Sequence, residues 1–419
     1  MTTLGKLAHI RSSTAFPQLT GFPAVPSAWT TGSTSYPYEF LQFQPPAANP
    51  AAPVEVATDV VIIGSGCGAG VVANRLAREF GPSLRVLVLE KGRHFDASHF
   101  PMSQATGLAS LFEAGGVVES DDGSVTVTAG SCFGGGGTVN WSASLMPQGF
   151  VREEWAKERG LGFFGGEEFQ GCLDRVWEAM GCTGDKVRAN HANRVLVEGA
   201  EKLGYQAKVV PQNVGGSEHY CGYCTLGCWK GEKKGPVNGW FPEAAKQGVK
   251  FVEGMQVERV IFEEEKKGKV ARGVKGVWTP REGEKVQVVV KAKKVVVSCG
   301  TLWSPVILMN SGIKVSTPKR LGIRVLTASR IPRSARTCTC ILPTLFLAFL
   351  TRTSSRGKVS RLLSSVHSPI PATNSCRWFS HLGRWLLRKP RLEGPWRQAR
   401  GYVHDGASPF LPLSHLAHH

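Results

Sequence analysis

The chain has 419 residues, which is enough for two or three domains with a sizeable core. With 42% hydrophobic and 20% charged residues, it has the composition of a globular protein. The net charge of +18 is unevenly placed, because the segment 315–419 holds 14 Arg and 3 Lys against two acidic residues, a net charge of +15. The first 314 residues therefore carry only +3, and this nearly neutral body argues against a nucleic-acid-binding role.

The distribution of the cysteines and the length of the apolar runs argue against a disulfide-rich secreted protein and against a membrane-spanning helix. Eleven cysteines are spread over the whole chain, which is unlike a small secreted scaffold held by disulfides. The N-terminus lacks the apolar core of a signal peptide. The longest apolar run, Ile341 to Leu350, is about half of the roughly 20 residues that span a bilayer. We therefore expect an intracellular protein, with peripheral membrane attachment or a peroxisomal location left open.

The first regular elements form a β-α-β unit after an extended arm. Residues 1–55 are rich in Pro, Ala, Ser and aromatic side chains, and we interpret them as an extended arm with a semi-rigid, proline-rich end. From Thr58, the run TDVVIIG predicts a buried strand, VVANRLAREFG a helix and LRVLVLE a second strand. Such a unit of about 30 residues is typical of a nucleotide-binding fold.

The turn between the first strand and the helix has the sequence GSGCGA, which predicts a dinucleotide-binding loop in this context. Gly64 allows the tight turn, Gly66 lets a pyrophosphate approach the backbone, and Ala69 allows the helix to pack closely on the strand. The helix N-terminus offers N–H groups to the phosphates. Glu90 ends the second strand, where a carboxylate binds ribose hydroxyls and disfavours a 2′-phosphate. The alternative is a tight turn with a surface Glu.

A second glycine-rich loop, GGGGTVNW at residues 134–141, favours a flavin over a nicotinamide cofactor. Four consecutive glycines are expected where backbone passes close to a bulky group, and the flat isoalloxazine ring is such a group. The alternative interpretation of this string is a flexible surface loop. Residues 151–205 then show apolar positions at helical spacing.

A cysteine cluster follows the helical region and has two interpretations. The spacing of His219, Cys221, Cys224 and Cys228 resembles that of a zinc or iron–sulfur site. Structural thiols or a disulfide are the interpretation that we favour, and we expect no metal. From 250 to 298, three runs, KFVEGMQVERVIF, GVKGVWT and VQVVVKAKKVVVSCG, predict a β-meander that returns to the nucleotide-binding sheet.

Two segments make the resemblance to a known family specific. Residues 134–141 resemble the first signature of the glucose–methanol–choline (GMC) oxidoreductases, and residues 300–313 (GTLWSPVILMNSGI) resemble the second, with Lys314 in place of a final glycine. The strings NWSAS and HYCGYCTLGC resemble the long-chain-alcohol oxidase branch. The resemblance covers residues 58 to 313.

This resemblance implies a set of cofactor contacts. The flavin end of FAD would lie near Gly136, Thr138, Asn140 and Trp141, and the backbone of Val257 would touch the adenine. The second signature would place a turn at Gly300, with Ser304 as the cap of a helix that closes the flavin site and Pro305 in its first turn.

The implied activity is FAD-dependent oxidation of long-chain primary alcohols to aldehydes, with O2 as acceptor. Family members take the alcohol proton with a histidine in their C-terminal part, a role that needs a suitable pKa. After Lys314 that part is not recognisable, so the catalytic residues stay unassigned. The histidines there are His367, His381, His404, His415, His418 and His419. The alternatives are a non-catalytic flavin-binding fragment with a basic tail and, less favoured, a nicotinamide-dependent dehydrogenase.

We therefore predict an α/β fold: a Rossmann-like FAD-binding domain with a parallel sheet and a β-meander, and a mostly helical insertion. The tail is expected to be irregular and disordered. Its composition fits a shifted reading frame or a retained intron, the alternative being a genuine basic tail that binds an acidic partner or a membrane surface. The predicted segments are the arm 1–55, the FAD-binding domain 56–150 and 249–314, the insertion 151–248 and the tail 315–419.

Overall fold

The computed structural model describes residues 36–46, 49, 52–120, 123–219, 222–265 and 268–313. The predictions for the first 35 residues and for the tail 315–419 lie outside these described residues. Within them, a six-stranded mixed sheet packs between helices, which confirms the predicted α/β, Rossmann-like class.

The sheet combines a parallel half with an antiparallel meander. Its strands are β1 (Val54–Ile63), β2 (Val86–Leu89), β7 (Lys250–Val252), β8 (Met255–Glu265), β9 (Gly268–Trp278) and β10 (Val286–Val297). Their order is β7-β2-β1-β10-β9-β8. β1 pairs in parallel with β2 and β10, and β2 with β7, while β8, β9 and β10 run antiparallel. β1 is thus central, and its last four residues (60–63) are covered on both faces, which explains their unbroken apolar sequence.

Helices and short hairpins surround this sheet. The helices are α1 (Cys67–Phe80), α2 (Gln104–Leu111), α3 (Gly136–Val139), α4 (Gly149–Lys157), α5 (Glu167–Met180), α6 (His191–Lys202), α7 (Phe241–Lys246) and α8 (Gly300–Asn310), with a π-helical turn at Pro236–Trp240 before α7. Two-residue strands pair as β3 (Val118–Glu119) with β4 (Thr126–Val127) and β5 (Cys182–Thr183) with β6 (Gln212–Asn213). No helix among the described residues is both long and apolar enough to cross a membrane.

The core lies on both faces of the sheet because strand side chains alternate. On one face, Val60 and Ile62 pack with Ala69 and other small residues of α1, and with Phe241 of α7. On the other face, Val61 and Ile63 pack with the meander and α8. The described part of the N-terminal arm adds aromatic rings to this core. Its Leu41 N–H donates to the Phe251 carbonyl at 2.9 Å, so the arm runs beside β7.

Two element predictions differ from the structure. The run KFVEGMQVERVIF forms two strands, because Glu253 and Gly254 separate β7 from β8 and the two pair with different neighbours. The last helix begins at Gly300, so Pro305 lies inside it instead of in a first turn capped by Ser304.

Candidate functional site

An open crevice of about 670 Å³ lies beyond the carboxyl ends of β1, β2 and β10. This is the place where open α/β sheets bind ligands, and the volume is typical of a cofactor site. Eight of the eleven sequence-predicted site residues line it: Gly64, Gly66, Glu90, Gly136, Asn140, Trp141, Val257 and Gly300.

The turn after β1 closes one side of the crevice and leaves room for a ligand. Gly64 has a φ of +93°, and a Cβ there would lie 2.3 Å from the Ser298 carbonyl oxygen, so this position requires glycine. Gly66 caps α1 with ordinary backbone angles, and a Cβ there would meet nothing within 4 Å. The first turn of α1 holds no acidic side chain. An anionic group can therefore approach its N–H groups without meeting a like charge from the helix itself.

The Glu90 carboxylate is held in place by protein donors. Its Oε2 accepts from the Ser65 N–H at 2.9 Å and from the Ser65 hydroxyl at 2.6 Å, and its Oε1 accepts from the Gly92 N–H at 2.7 Å. The residue is 7% exposed and lines the crevice. Ser65 also accepts from the Gly134 N–H at 2.8 Å, which ties the first glycine loop to the second. Sequence reasoning assigned no role to Ser65 and missed this link.

The second glycine loop owes most of its glycines to protein packing. A Cβ at Gly134 would lie 2.2 Å from Thr138 Oγ1, and one at Gly137 would lie 2.3 Å from Pro236 Cδ. Gly135 has a φ of +53°. Only at Gly136 would a Cβ find nothing within 4 Å. The prediction that all four glycines make room for a bulky group is therefore wrong for three of them, and Gly136 is the open position.

Three predicted site residues do not line the crevice. Ala69 is fully buried and packs against β1 in the core behind the loop. The Thr138 hydroxyl donates to the Phe133 carbonyl at 2.8 Å. The Ser304 hydroxyl accepts from the Cys299 N–H at 3.1 Å and so stabilises the start of α8 from within the helix. All three support the walls of the crevice from behind.

The crevice lining also holds a charged group that sequence reasoning missed. The Lys91 ammonium forms an ion pair with Glu113 and lies 4.2 Å from the centre of the Trp303 ring. All three residues line the crevice. A cation over an aromatic face is a stabilising contact. Lys91 directly follows Glu90 after a buried strand, and this position in the sequence could have indicated that it lies in the crevice.

No histidine lines the crevice within the part of the chain that the structure describes. His94 is packed against Tyr38 and Phe133, and burial lowers its pKa to about 4, which keeps the ring neutral at pH 7. The six histidines of the tail lie outside the described residues.

The cysteine cluster lies behind the second glycine loop. His219 contacts Cys224 through Nε2 at 3.3 Å and the Glu232 carboxylate through Nδ1 at 2.7 Å. Cys221 lies outside the described residues. Among the residues that are described, no three His, Cys, Asp or Glu side chains are grouped as metal ligands. The expectation that the complete cluster consists of structural thiols or a disulfide and binds no metal stays a prediction.

Comparison of the sequence with known protein families gives a match that covers just over half of the chain. The family model is described as GMC oxidoreductase and matches residues 108–326. The long-chain-alcohol oxidases FAO4B and FAO3 of Arabidopsis thaliana are each 36% identical, over 260 and 265 residues, or 61% and 62% of this chain. These regions are 34% and 35% of the relatives, so the chain spans about a third of their length. The crystal structure of pyridoxine 4-oxidase from Mesorbium loti is 20% identical with a TM-score of 0.44, covering 61% of this chain and 52% of that one.

Proposed function

Because the chain belongs to the GMC oxidoreductase family, whose cofactor is FAD, we propose that the crevice binds FAD as part of an oxidoreductase that acts on CH–OH groups. The observation that carries this proposal is the meeting of two glycine loops at two open positions, Gly66 and Gly136, beside the buried Glu90 carboxylate. A dinucleotide with a flat ring system needs all three features: room for a pyrophosphate, an acceptor for ribose and room for the ring.

Each proposed contact follows from what the residues offer. The N–H groups at the start of α1, next to Gly66, bind the pyrophosphate. Glu90 accepts from a ribose hydroxyl through the lone pair of Oε1 that Ser65 and Gly92 leave available, because a carboxylate has about four acceptor positions and three are occupied. Gly136, Asn140 and Trp141 lie along the flavin end, and Val257 along the adenine end. When bound, FAD supplies a two-electron acceptor for the hydride of an alcohol.

We further propose that the substrate is a long-chain primary alcohol, oxidised to the aldehyde with O2 as the final acceptor. The support is the similarity to proteins named long-chain-alcohol oxidases, at 34–36% identity over the matched part. The described chain contributes cofactor binding to this reaction. No histidine among the described residues lines the crevice, so the described chain supplies no histidine there to accept the hydroxyl proton.

A second candidate function is flavin binding without alcohol oxidation. The observation that favours it is the lining of the crevice, in which the described residues include no histidine to accept a proton at neutral pH. Under this candidate the chain binds FAD as tightly as the first candidate requires, but no alcohol reduces it.

The absorbance spectrum of the purified chain, before and after anaerobic addition of a long-chain primary alcohol, separates the two candidates. Flavin bands that bleach with alcohol are the result expected for an alcohol oxidase. Flavin bands that persist favour the second candidate. A chain that binds no FAD after reconstitution with excess cofactor contradicts both, provided that circular dichroism shows it to be folded.

A further inference from the structure

A buried chain of thiol, imidazole and carboxylate lies behind the second glycine loop. Cys224 Sγ is 3.3 Å from Nε2 of His219, whose Nδ1 is 2.7 Å from the Glu232 carboxylate. Cys224 and His219 are each 5% exposed. The Glu232 side chain is 24% exposed and reaches solvent. The three groups therefore form a path along which a proton can move between the buried sulfur and water.

The charges around this chain favour an ionised sulfur. Although burial disfavours a charged ring, the hydrogen bonds and charges of Cys224 and Glu232 raise the pKa of His219 above its ordinary value. The buried Lys233 ammonium donates to the carbonyls of Cys224, Thr138 and Asn140. Among the described residues, Lys230 and Cys228 are further titratable groups close to this chain. The Lys233 ammonium, and His219 when its ring is protonated, stabilise a thiolate at Cys224, since nearby positive charge lowers the pKa of a thiol.

Two other thiols of this chain, the buried Cys132 and the partly buried Cys299, have the opposite surroundings. Burial raises the pKa of Cys132 and of Cys299 to about 12, and the charge of Glu90 acts in the same direction. Neither has an imidazole partner among the hydrogen bonds of the described structure. They are therefore inert at neutral pH and serve as internal references for the reactivity of Cys224.

We propose that Cys224 is a reactive thiol, activated by His219 and Glu232, which small peroxides oxidise to a sulfenic acid. The thiolate sulfur attacks one oxygen of hydrogen peroxide, so that an S–O bond forms and the O–O bond breaks. Hydroxide leaves and takes the proton of the His219 imidazolium, giving water. The sulfur loses two electrons and the peroxide gains them.

The burial of Cys224 limits which oxidants can reach its sulfur, and its position next to the second glycine loop means that oxidation would affect this loop. At 5% exposure, the sulfur admits a molecule of the size of hydrogen peroxide more readily than a protein or peptide disulfide. It lies 3.8 Å from the Ser142 hydroxyl, directly after the loop that ends at Trp141. An added oxygen therefore presses on the segment proposed to contact the flavin. An alcohol oxidase that reduces O2 by two electrons releases hydrogen peroxide, so this source of the oxidant rests on the proposed function.

The test is sulfenic-acid trapping on the full, reduced chain. Hydrogen peroxide is added at pH 7 together with dimedone, and mass spectrometry of peptides measures the adduct at each cysteine. We expect Cys224 to be labelled well before Cys132 and Cys299. His219→Asn should lower its rate by up to about thirtyfold, because a thiol with the ordinary pKa near 8.5 is only about 3% ionised at pH 7. The control Glu201→Gln removes an exposed carboxylate from α6 and should leave the rate unchanged.

A second measurement keeps the proposal falsifiable if His219→Asn does not fold. The rate of alkylation of Cys224 by iodoacetamide is followed against pH in the unmodified chain and in Glu232→Gln. We expect a midpoint below pH 8 that rises in the variant. A midpoint at or above 8.5 in the unmodified chain, or equal labelling of Cys224 and Cys132, overturns the proposal. Because the peroxide is added, a chain that oxidises no alcohol can still give the expected result.

Discussion

Replacing Gly66 by leucine tests whether the first glycine loop binds FAD, because the substitution should leave the fold of the loop intact. Gly66 has a φ of −64°, which any residue adopts, and a Cβ there would meet no atom within 4 Å. The side chain of Gly66→Leu therefore projects into the crevice, where the pyrophosphate is proposed to lie. We expect a folded protein that no longer retains FAD.

The magnitudes follow from the local geometry. Loss of the glycine cap costs up to about 1 kcal/mol, and the reduced freedom of the unfolded chain returns about 0.4–1 kcal/mol, so the free energy of unfolding should change by less than about 1 kcal/mol. A displaced pyrophosphate loses two charge-assisted hydrogen bonds to the start of α1, each contributing about 1.5–3 kcal/mol. The dissociation constant for FAD should therefore rise by about 10² to 10⁴.

Flavin fluorescence during titration of the apoprotein measures the affinity, and urea unfolding followed by circular dichroism measures the stability. Gly149→Leu is the matched control, because Gly149 also starts a helix and faces open space but lies outside the crevice. If leucine disturbs the fold, Gly66→Ala tests the same contact with a single methyl group. A folded Gly66→Leu protein that binds FAD with unchanged affinity would refute the assignment of the pyrophosphate.

Three further predictions address stability, cofactor affinity and pH. Gly64→Ala should lower the free energy of unfolding by about 3 kcal/mol, because the alanine must adopt a φ of +93° and its Cβ would lie 2.3 Å from the Ser298 oxygen. A loss below about 1 kcal/mol in urea unfolding would contradict this. Glu90→Gln should weaken FAD binding at least about tenfold through the lost charge-assisted bond, measured by the same titration, and equal affinity would exclude the ribose contact. Burial lowers the pKa of His94 to about 4, so the unfolded chain takes up the proton at a higher pH than the folded chain. The contribution of the neutral His94 to the free energy of unfolding is therefore complete above pH 6.5 and falls by up to about 3 kcal/mol as the pH drops towards 4. His94→Phe should remove this slope from stability measured against pH, and an unchanged slope would assign it to other groups.

The parts of the fold that follow from local patterns could be predicted from the sequence. The apolar run of β1, the glycines after it and the second apolar strand lie within about 30 residues, and each pattern has few structural solutions. Glu90 could be placed in the crevice because it follows a buried strand whose neighbour carries the glycine loop. The eight residues that reach the crevice are those whose position depends mainly on such nearby elements.

The parts that could not be predicted depend on contacts that are distant in sequence. Glu253 interrupts an apolar run and is only 4% exposed, because Arg281 and the His94 N–H satisfy its carboxylate. Nothing near it in the sequence indicates those partners, so the run looked like one strand. Gly137 is likewise explained by Pro236, almost a hundred residues later. A glycine required by protein packing and one required by a ligand look the same in a sequence.

Ser65 shows how these local and distant contacts combine into one site. Its hydroxyl donates to Glu90, at the proposed ribose position, and accepts from the N–H of Gly134, at the start of the loop proposed for the flavin. Its own backbone lies between the two glycines that shape the pyrophosphate turn. Because a hydroxyl offers one donor and two acceptor positions, a single side chain can hold all three subsites in register. The spacing between the subsites is therefore set by the protein before any ligand binds, which lowers the ordering cost of binding an extended dinucleotide.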